Sequence, residues 1–438
     1  MPIRRMPWTP FLWLCALGGL AILSSTMSKN PALPLFVKSL GAPQWARGFI
    51  AAASTVTGIL VSVPAGILSD VWGRKRVILL SMFVFASAPF LYLLVRDPWQ
   101  LVMVRVYHGL ATAILGPVAR ATVADTFEQG RGERMAWYSS ATMVGRFLAP
   151  TVGGLLILGD SFTWVWLGCG LAGVLALLSA TRLPGAPRLP ATRAARPAAE
   201  RRTLGSAWGT ARTELRLLAT NRDILVTGGM DAALYFAFGA VEFFLPLCLK
   251  DLGYAPALIG PLFTMQIVVT ALTKPWMGRL SDRQGRTPLI VAGLLLAAFA
   301  VLALPWAGNA SSAELPLGWL PGNWPSLGTF INWFLVALLL AFFGLSVAVI
   351  TASTSALVSD LSRASAYGAS LGVLSSVMDV GQASGPPLVG LVITIWGYPL
   401  GFALICAVLL AAALLFATHF RPPRPAETVA TEEALRAR

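Results

Sequence analysis

The chain has 438 residues, a formal net charge of +14, 56% hydrophobic and only 12% charged residues, and a mean hydropathy of +0.71. A soluble domain carries roughly a quarter of its residues as charged side chains. This composition excludes a soluble globular fold and points to the lipid bilayer.

In chain order, twelve apolar runs reach the roughly 20 residues that a membrane-crossing helix needs. They cover about 10–37, 47–68, 77–95, 99–123, 135–158, 162–182, 223–249, 254–277, 288–306, 329–356, 366–394 and 399–418. The first follows Arg4 and Arg5 as an export signal would, but no A-x-A cleavage site follows it, so an uncleaved first helix is expected. The alternating ten-residue strands of a β-barrel do not occur. Cys15, Cys169, Cys248 and Cys406 each fall in a predicted helix, without metal-ligand spacing.

The positive charge is distributed by side. Of 33 Lys and Arg, only four (Lys38, Arg47, Arg96 and Lys250) fall in loops on the face opposite the N-terminus. That asymmetry is the positive-inside bias. It predicts both termini in the cytoplasm, a plasma (inner) membrane location and attraction to an anionic inner leaflet, with no nucleic-acid partner.

The chain repeats itself. Gly66, Asp70, Gly73 and Arg74 recur 212 residues later as Gly278, Asp282, Gly285 and Arg286, and "LPLFVKSLG" recurs at the same offset as "LPLCLKDLG". "HGLATAILGPVARATVAD" ends at Asp125 and "FGLSVAVITASTSALVSD" at Asp360, an offset of 235; Gly145, Pro150 and Gly154 match Gly381, Pro386 and Gly390 at 236. A register held across five helices indicates tandem duplication of a six-helix unit. The expected organisation is an N-terminal bundle over 1–183, a cytoplasmic linker over 184–222 with a short amphipathic helix near Trp208–Leu218, a C-terminal bundle over 223–420 and a cytoplasmic tail over 421–438.

Twelve helices in two halves, with "GILSDVWGRK" after the second and "GRLSDRQGRT" after the eighth, resemble the major facilitator superfamily, and most closely its proton-coupled drug and small-molecule exporters. The resemblance implies an all-α integral membrane fold of two pseudo-symmetric six-helix bundles, working as a monomer by alternating access. It implies a latch role for the eight signature residues Gly66, Asp70, Gly73, Arg74, Gly278, Asp282, Gly285 and Arg286. "RVYHGLATA" resembles the R-x-x-x-G motif of proton-coupled relatives through Arg105 and Gly109. "GRFLAPTVGG" and "GQASGPPLVG" resemble the exporter packing motif through Gly145, Pro150, Gly154, Gly381, Gly385 and Pro386, with Ala149 replacing one glycine.

Ionisable side chains deep in an apolar run are expensive and usually face a cavity or a partner. Lys29, Arg105, His108, Arg146, Asp231, Glu242 and Asp379 are such residues, with the bases in the first half and the acids in the second. They are the candidates for proton coupling and for the cavity, with Asp231, Glu242 or Asp379 as the proton carrier. Lys29 and Glu242 lie at similar depth and are expected to form an ion pair when the outer side is closed. Arg120 and Lys274, near helix ends, are expected to snorkel instead. Trp13, Tyr107, Tyr235, Phe236, Phe243 and Trp333 are candidates for an apolar pocket lining.

The resulting expectation is a proton-coupled exporter of small amphipathic or zwitterionic molecules; the alternative is a symporter that takes up a metabolite or anion. No cofactor and no metal site are expected. With two histidines, no nucleophile elbow and no phosphate-binding loop, an enzyme is not expected.

Overall fold

The computed structural model describes residues 8–126, 130–159, 161–183, 222–308, 327–361 and 367–420. The expected linker, save Arg222, with its amphipathic helix, the segment 309–326 and the tail lie outside the described residues. Helices α1 (Trp8–Lys29), α2 (Ala32–Ser39), α3 (Gln44–Trp72), α4 (Arg74–Tyr92), α5 (Pro98–Thr126), α6 (Arg131–Leu156) and α7 (Thr163–Thr181) form the first half. The second comprises α8 (Arg222–Asp251), α9 (Pro256–Gln284), α10 (Arg286–Ala307), α11 (Leu327–Leu361) and α12 (Tyr367–His419).

Inside lipid, backbone polar groups have no water to turn to, so helices that satisfy them internally are what such a sequence can form. Among the described residues ten spans are long and apolar enough to cross a bilayer, with α1 and α2 together making the first. Two features separate that number from the twelve runs of the sequence. Helix α6 carries Glu133, Arg134 and Arg146 and is absent from the ten. Helix α12 counts once, yet its backbone breaks at Gly397 (φ 80°, ψ 177°), between the last two expected runs. The chain is an integral, multi-pass membrane protein.

The signature turns are one residue long. Gly73 alone links α3 to α4, and Gly285 alone links α9 to α10, at φ 94° and 90°. Only glycine reaches that region without steric cost. Both turns then place an arginine at the first position of the next helix.

Within the first half, α3 packs on α5, α1 on α6 and α7, and α4 on α5 and α7; within the second, α8 packs on α12, α9 on α11, and α10 on α11 and α12. Two seams join the halves: α3 against α12, and α6 against α9. The buried core reports where the halves meet. Around Leu35, Ile50 and Ala149 it is continuous with Val241, Phe244 and Val389 of the other half. Toward the signature turns, Leu17, Ile78, Phe85 and Val118 form a separate core confined to the first half. The halves are therefore fused on one side and parted on the other.

Candidate functional site

The parted side holds a cavity of about 540 Å³ between α1, α3, α5 and α12. Its walls run from Lys29, Ser54 and Thr55 down to Gly66, Asp70 and Arg120 beside the first signature turn. On the opposite wall stand Ser375, Ser376, Asp379 and Gln382. Beyond Lys29, toward the fused side, a much smaller pocket is lined by Arg105, Glu242, Phe243, Gln382 and Pro386. Lys29 borders both spaces, as does Gln382.

Of the seven ionisable candidates, this brings Lys29, Arg105, Glu242 and Asp379 to the cavity walls. The other three do not line it. His108 is buried against the edges of Phe85 and Tyr92, its Nδ1 3.2 Å from the Tyr92 hydroxyl, and Nε2 finds no partner among the described residues. The shared helical face of Arg105 and His108 therefore does not make a shared site. Asp231 is 1% exposed, with Thr354 Oγ1 2.9 and 3.1 Å from its two carboxyl oxygens. Arg146 is exposed on α6, close enough for its charge to act on Glu242 and Lys29.

Arg105 owes its position to α3. Its Nη2 donates to the Ala51 carbonyl at 3.1 Å and to the Ser54 hydroxyl, so the guanidinium braces the α3–α5 contact at the small pocket's edge. The expected Lys29–Glu242 ion pair is absent: among the described residues no salt bridge joins Lys29 to Glu242 or Asp379. Glu242 stands beside Gln382 instead, and Lys29 shares one space with each carboxylate. The aromatic expectation also needs correction. Phe243 alone of the six reaches a wall, that of the small pocket. Tyr107 bonds Ser87 at 2.8 Å, Trp333 donates to the Leu258 carbonyl at 2.9 Å, and Trp13 is 37% exposed on the surface. Arg120, expected to snorkel away, lines the cavity mouth.

The signature residues form two matching clusters. Arg74 pairs with Asp70 at 2.5 Å and donates from Nε to Asp125 at 3.0 Å; Arg286 pairs with Asp282 and donates from Nε to Asp360, both at 2.7 Å. Every partner belongs to the arginine's own half. In the sequence Asp125 and Asp360 figure only as the matched ends of the repeated fourth-helix segment, with no role expected of either. Lys75, next along, donates to the carbonyls of Thr181 and Leu183 at the end of α7, the favoured place for a cation.

The fused side is held by close packing. A β-carbon built on Gly145 would strike the Gly19 carbonyl, and on Gly381 the Ala232 carbonyl, which sets α6 on α1 and α12 on α8. Gly385 meets Phe236 in the same way. Across the halves, Gly154 faces the Pro256 carbonyl and Gly260, while Thr151 and Thr264 share a 2.7 Å hydrogen bond. At the outermost edge Lys38 of α2 forms a salt bridge with Asp251 of α8, whose second oxygen accepts from Tyr398 at 2.9 Å. In the sequence Lys38 reads only as a loop charge.

Known proteins share this arrangement. The nucleoside transporter NupG superposes with a TM-score of 0.74 over 94% of this chain and 99% of its own, at 15% identity. The D-xylose–proton symporter gives 0.69 over 93% and 97%, at 15%. At these identities the likeness is one of fold. In sequence, the chain is 28% identical over 149 residues to an uncharacterised MFS-type transporter of Methanocaldococcus jannaschii, covering 34% of this chain and 39% of that one. It is 30% identical over 173 residues to the putative multidrug resistance protein MdtD of Klebsiella pneumoniae, covering 38% and 36%. These matches thus span less than half of either relative. The family description "Major Facilitator Superfamily" matches twice, over residues 14–321 and 230–437. Two overlapping matches, a duplicated signature turn and a cavity between matched halves together establish that the chain belongs to the Major Facilitator Superfamily.

Proposed function

We propose that this transporter is a proton-coupled antiporter that exports small molecules by alternating access. The rocking units are residues 1–183 and 223–420, tied by the linker over 184–222, with 421–438 as a tail. The observation that carries the reading is that Asp379 of the second half and Lys29 of the first both line the large cavity. A carboxylate there accepts either a proton or a cationic substrate group, and that competition is what exchange requires. Asp231, sealed beside Thr354, is the weaker carrier on this ground.

Export is supported by the MdtD relative, named a putative multidrug resistance protein, and by the Gly/Pro packing motif on α6 and α12. The signature arginines engage only their own halves while the cavity is parted on their side, which supports a latch that closes when the cavity opens the other way. A symport reading is favoured by one observation: Glu242 lines the small pocket with Lys29, and protonation of that carboxylate would leave the Lys29 charge free to attract an anion. The fold likeness to a D-xylose–proton symporter accommodates it.

The test is flux in proteoliposomes under an imposed pH gradient, at saturating substrate. Loss of uphill flux in Asp379→Asn with downhill exchange retained supports antiport through Asp379. Uphill flux that survives in Asp379→Asn and fails in Glu242→Gln supports the symport reading. Persistence in Asp231→Asn, Glu242→Gln and Asp379→Asn alike overturns proton coupling through these groups.

A further inference from the structure

The wall of the large cavity lacks the aromatic surface that sites for lipophilic compounds use, and it carries hydroxyl and charged groups instead. Such ligands gain affinity mainly from buried apolar area, about 25 cal/mol per Å², and their pockets are lined by aromatic and aliphatic side chains. Here Thr55, Ser62, Thr112, Ser376 and Gln382 share the wall with the smaller apolar residues Val63, Ile67, Ala113 and Pro117, and no aromatic side chain lines it among the described residues. Water held by such a wall is displaced favourably only by a ligand that replaces its hydrogen bonds. At about 540 Å³ the cavity has room for a small molecule of several polar groups.

Its charges are also selective. Asp70 is already taken by Arg74 at 2.5 Å. Lys29 and Arg120 remain as basic groups and Asp379 as an acidic one, and no salt bridge among the described residues joins Lys29 to Asp379. Opposite charges contributed by the two halves to one cavity, with no salt bridge between them, match a ligand that carries both signs. A site built to bond a specific polar group strongly disfavours an analogue lacking it, because its own buried groups are then left unpaired.

We infer that the cavity binds a small hydrophilic zwitterion of the amino-acid class, with its carboxylate at Lys29 and its ammonium at Asp379. This rests on the proposed transport function and narrows its substrate, replacing amphipathic compounds by hydrophilic ones. Arg120, nearer the mouth, serves as the first attraction for the acid group.

The test is calorimetric binding to the purified full chain with four probes: serine, glycerate (which lacks the amine), serinol (which lacks the carboxylate) and tetraphenylphosphonium. Serine is expected to bind at least about tenfold tighter than each of the others, a difference worth about 1.4 kcal/mol. Asp379→Asn should erase the preference over glycerate, and Lys29→Gln the preference over serinol. Asp379→Glu keeps the charge and should keep the preference, which separates a lost ligand from a lost fold. Absent serine binding, tighter binding of tetraphenylphosphonium, or a serine preference unmoved by both neutral variants would overturn the inference. The same probes in proteoliposomes separate it from the function it rests on. Serine that binds but ignores the pH gradient preserves the site and sinks proton coupling; pH-driven movement of tetraphenylphosphonium alone does the reverse.

Discussion

Gly260 on α9 faces the backbone carbonyl of Pro150 on α6, closer than any side chain could stand, and Gly48 on α3 faces the carbonyl of Pro386 on α12 in the same way. The 212-residue offset relates Gly48 to Gly260, and the 236-residue offset relates Pro150 to Pro386. One glycine–proline contact, duplicated with the chain, thus closes both seams between the halves.

Adding a methyl group at either glycine should open the fused side. Overpacking costs roughly 1–3 kcal/mol, or about five- to more than a hundredfold in a two-state equilibrium. Gly48→Ala and Gly260→Ala are each expected to bias the protein away from the state described here. The readout is alkylation of Ser376→Cys, on the cavity wall, by an impermeant reagent applied from the signature-turn side. The rate should fall in both glycine variants, and an unchanged rate would mean the seam tolerates the methyl.

At the outer edge a smaller effect is expected. Lys38 and Asp251 are 36% and 39% exposed at their side chains, and exposed pairs contribute about 0–1 kcal/mol. Lys38→Ala should shift the same alkylation rate by less than about fivefold, and about 1 M salt should mimic it in the unaltered protein, because screening removes such pairs. A large, salt-independent effect would assign Lys38 some other role.

Arg286 spans two acids, Nη1 reaching Asp282 and Nε reaching Asp360. An ammonium lacks that planar fork. Arg286→Lys should therefore keep one contact and lose coupling between the acids. In a double-mutant cycle of Asp282→Asn and Asp360→Asn, followed by thermal unfolding in detergent, the interaction term should fall from several tenths of a kcal/mol toward zero in the Lys background.

Thr354 is shared between Asp231 and the Ile350 carbonyl at 2.9 Å. Removing the hydroxyl leaves a buried carboxyl without that partner, at roughly 1–3 kcal/mol. Thr354→Val should lower the melting temperature, Thr354→Ser should not, and Asp231→Asn should retain pH-driven transport because the residue is walled off from the cavity. Loss of coupling in Asp231→Asn would make it a proton carrier after all.

Hydropathy, charge asymmetry and the duplicated turn were legible in the primary structure because each is a local or periodic property. Span lengths follow from bilayer thickness, and Gly73 and Gly285 are read as tight turns because only glycine adopts their backbone cheaply. The bases of the first half and the acids of the second were visible too. Their grouping was not: helical spacing placed His108 beside Arg105, yet Tyr92 and Phe85 enclose one while Ala51 and Ser54 hold the other.

Repeat offsets alone relate Gly48 to Gly260 and Asp125 to Asp360, so these residues were within reach of the sequence once their partners were known. What the tertiary structure alone decided is which groups share a space. Lys29 shares one space with Glu242 and another with Asp379 without bonding either, and hydroxyls and small aliphatics rather than aromatics line the cavity, because that wall is assembled from four helices drawn from both halves. Periodicity specifies which face of a helix is polar, whereas the rotation and approach of one helix against another are set by close packing at positions such as Gly145 and Gly381.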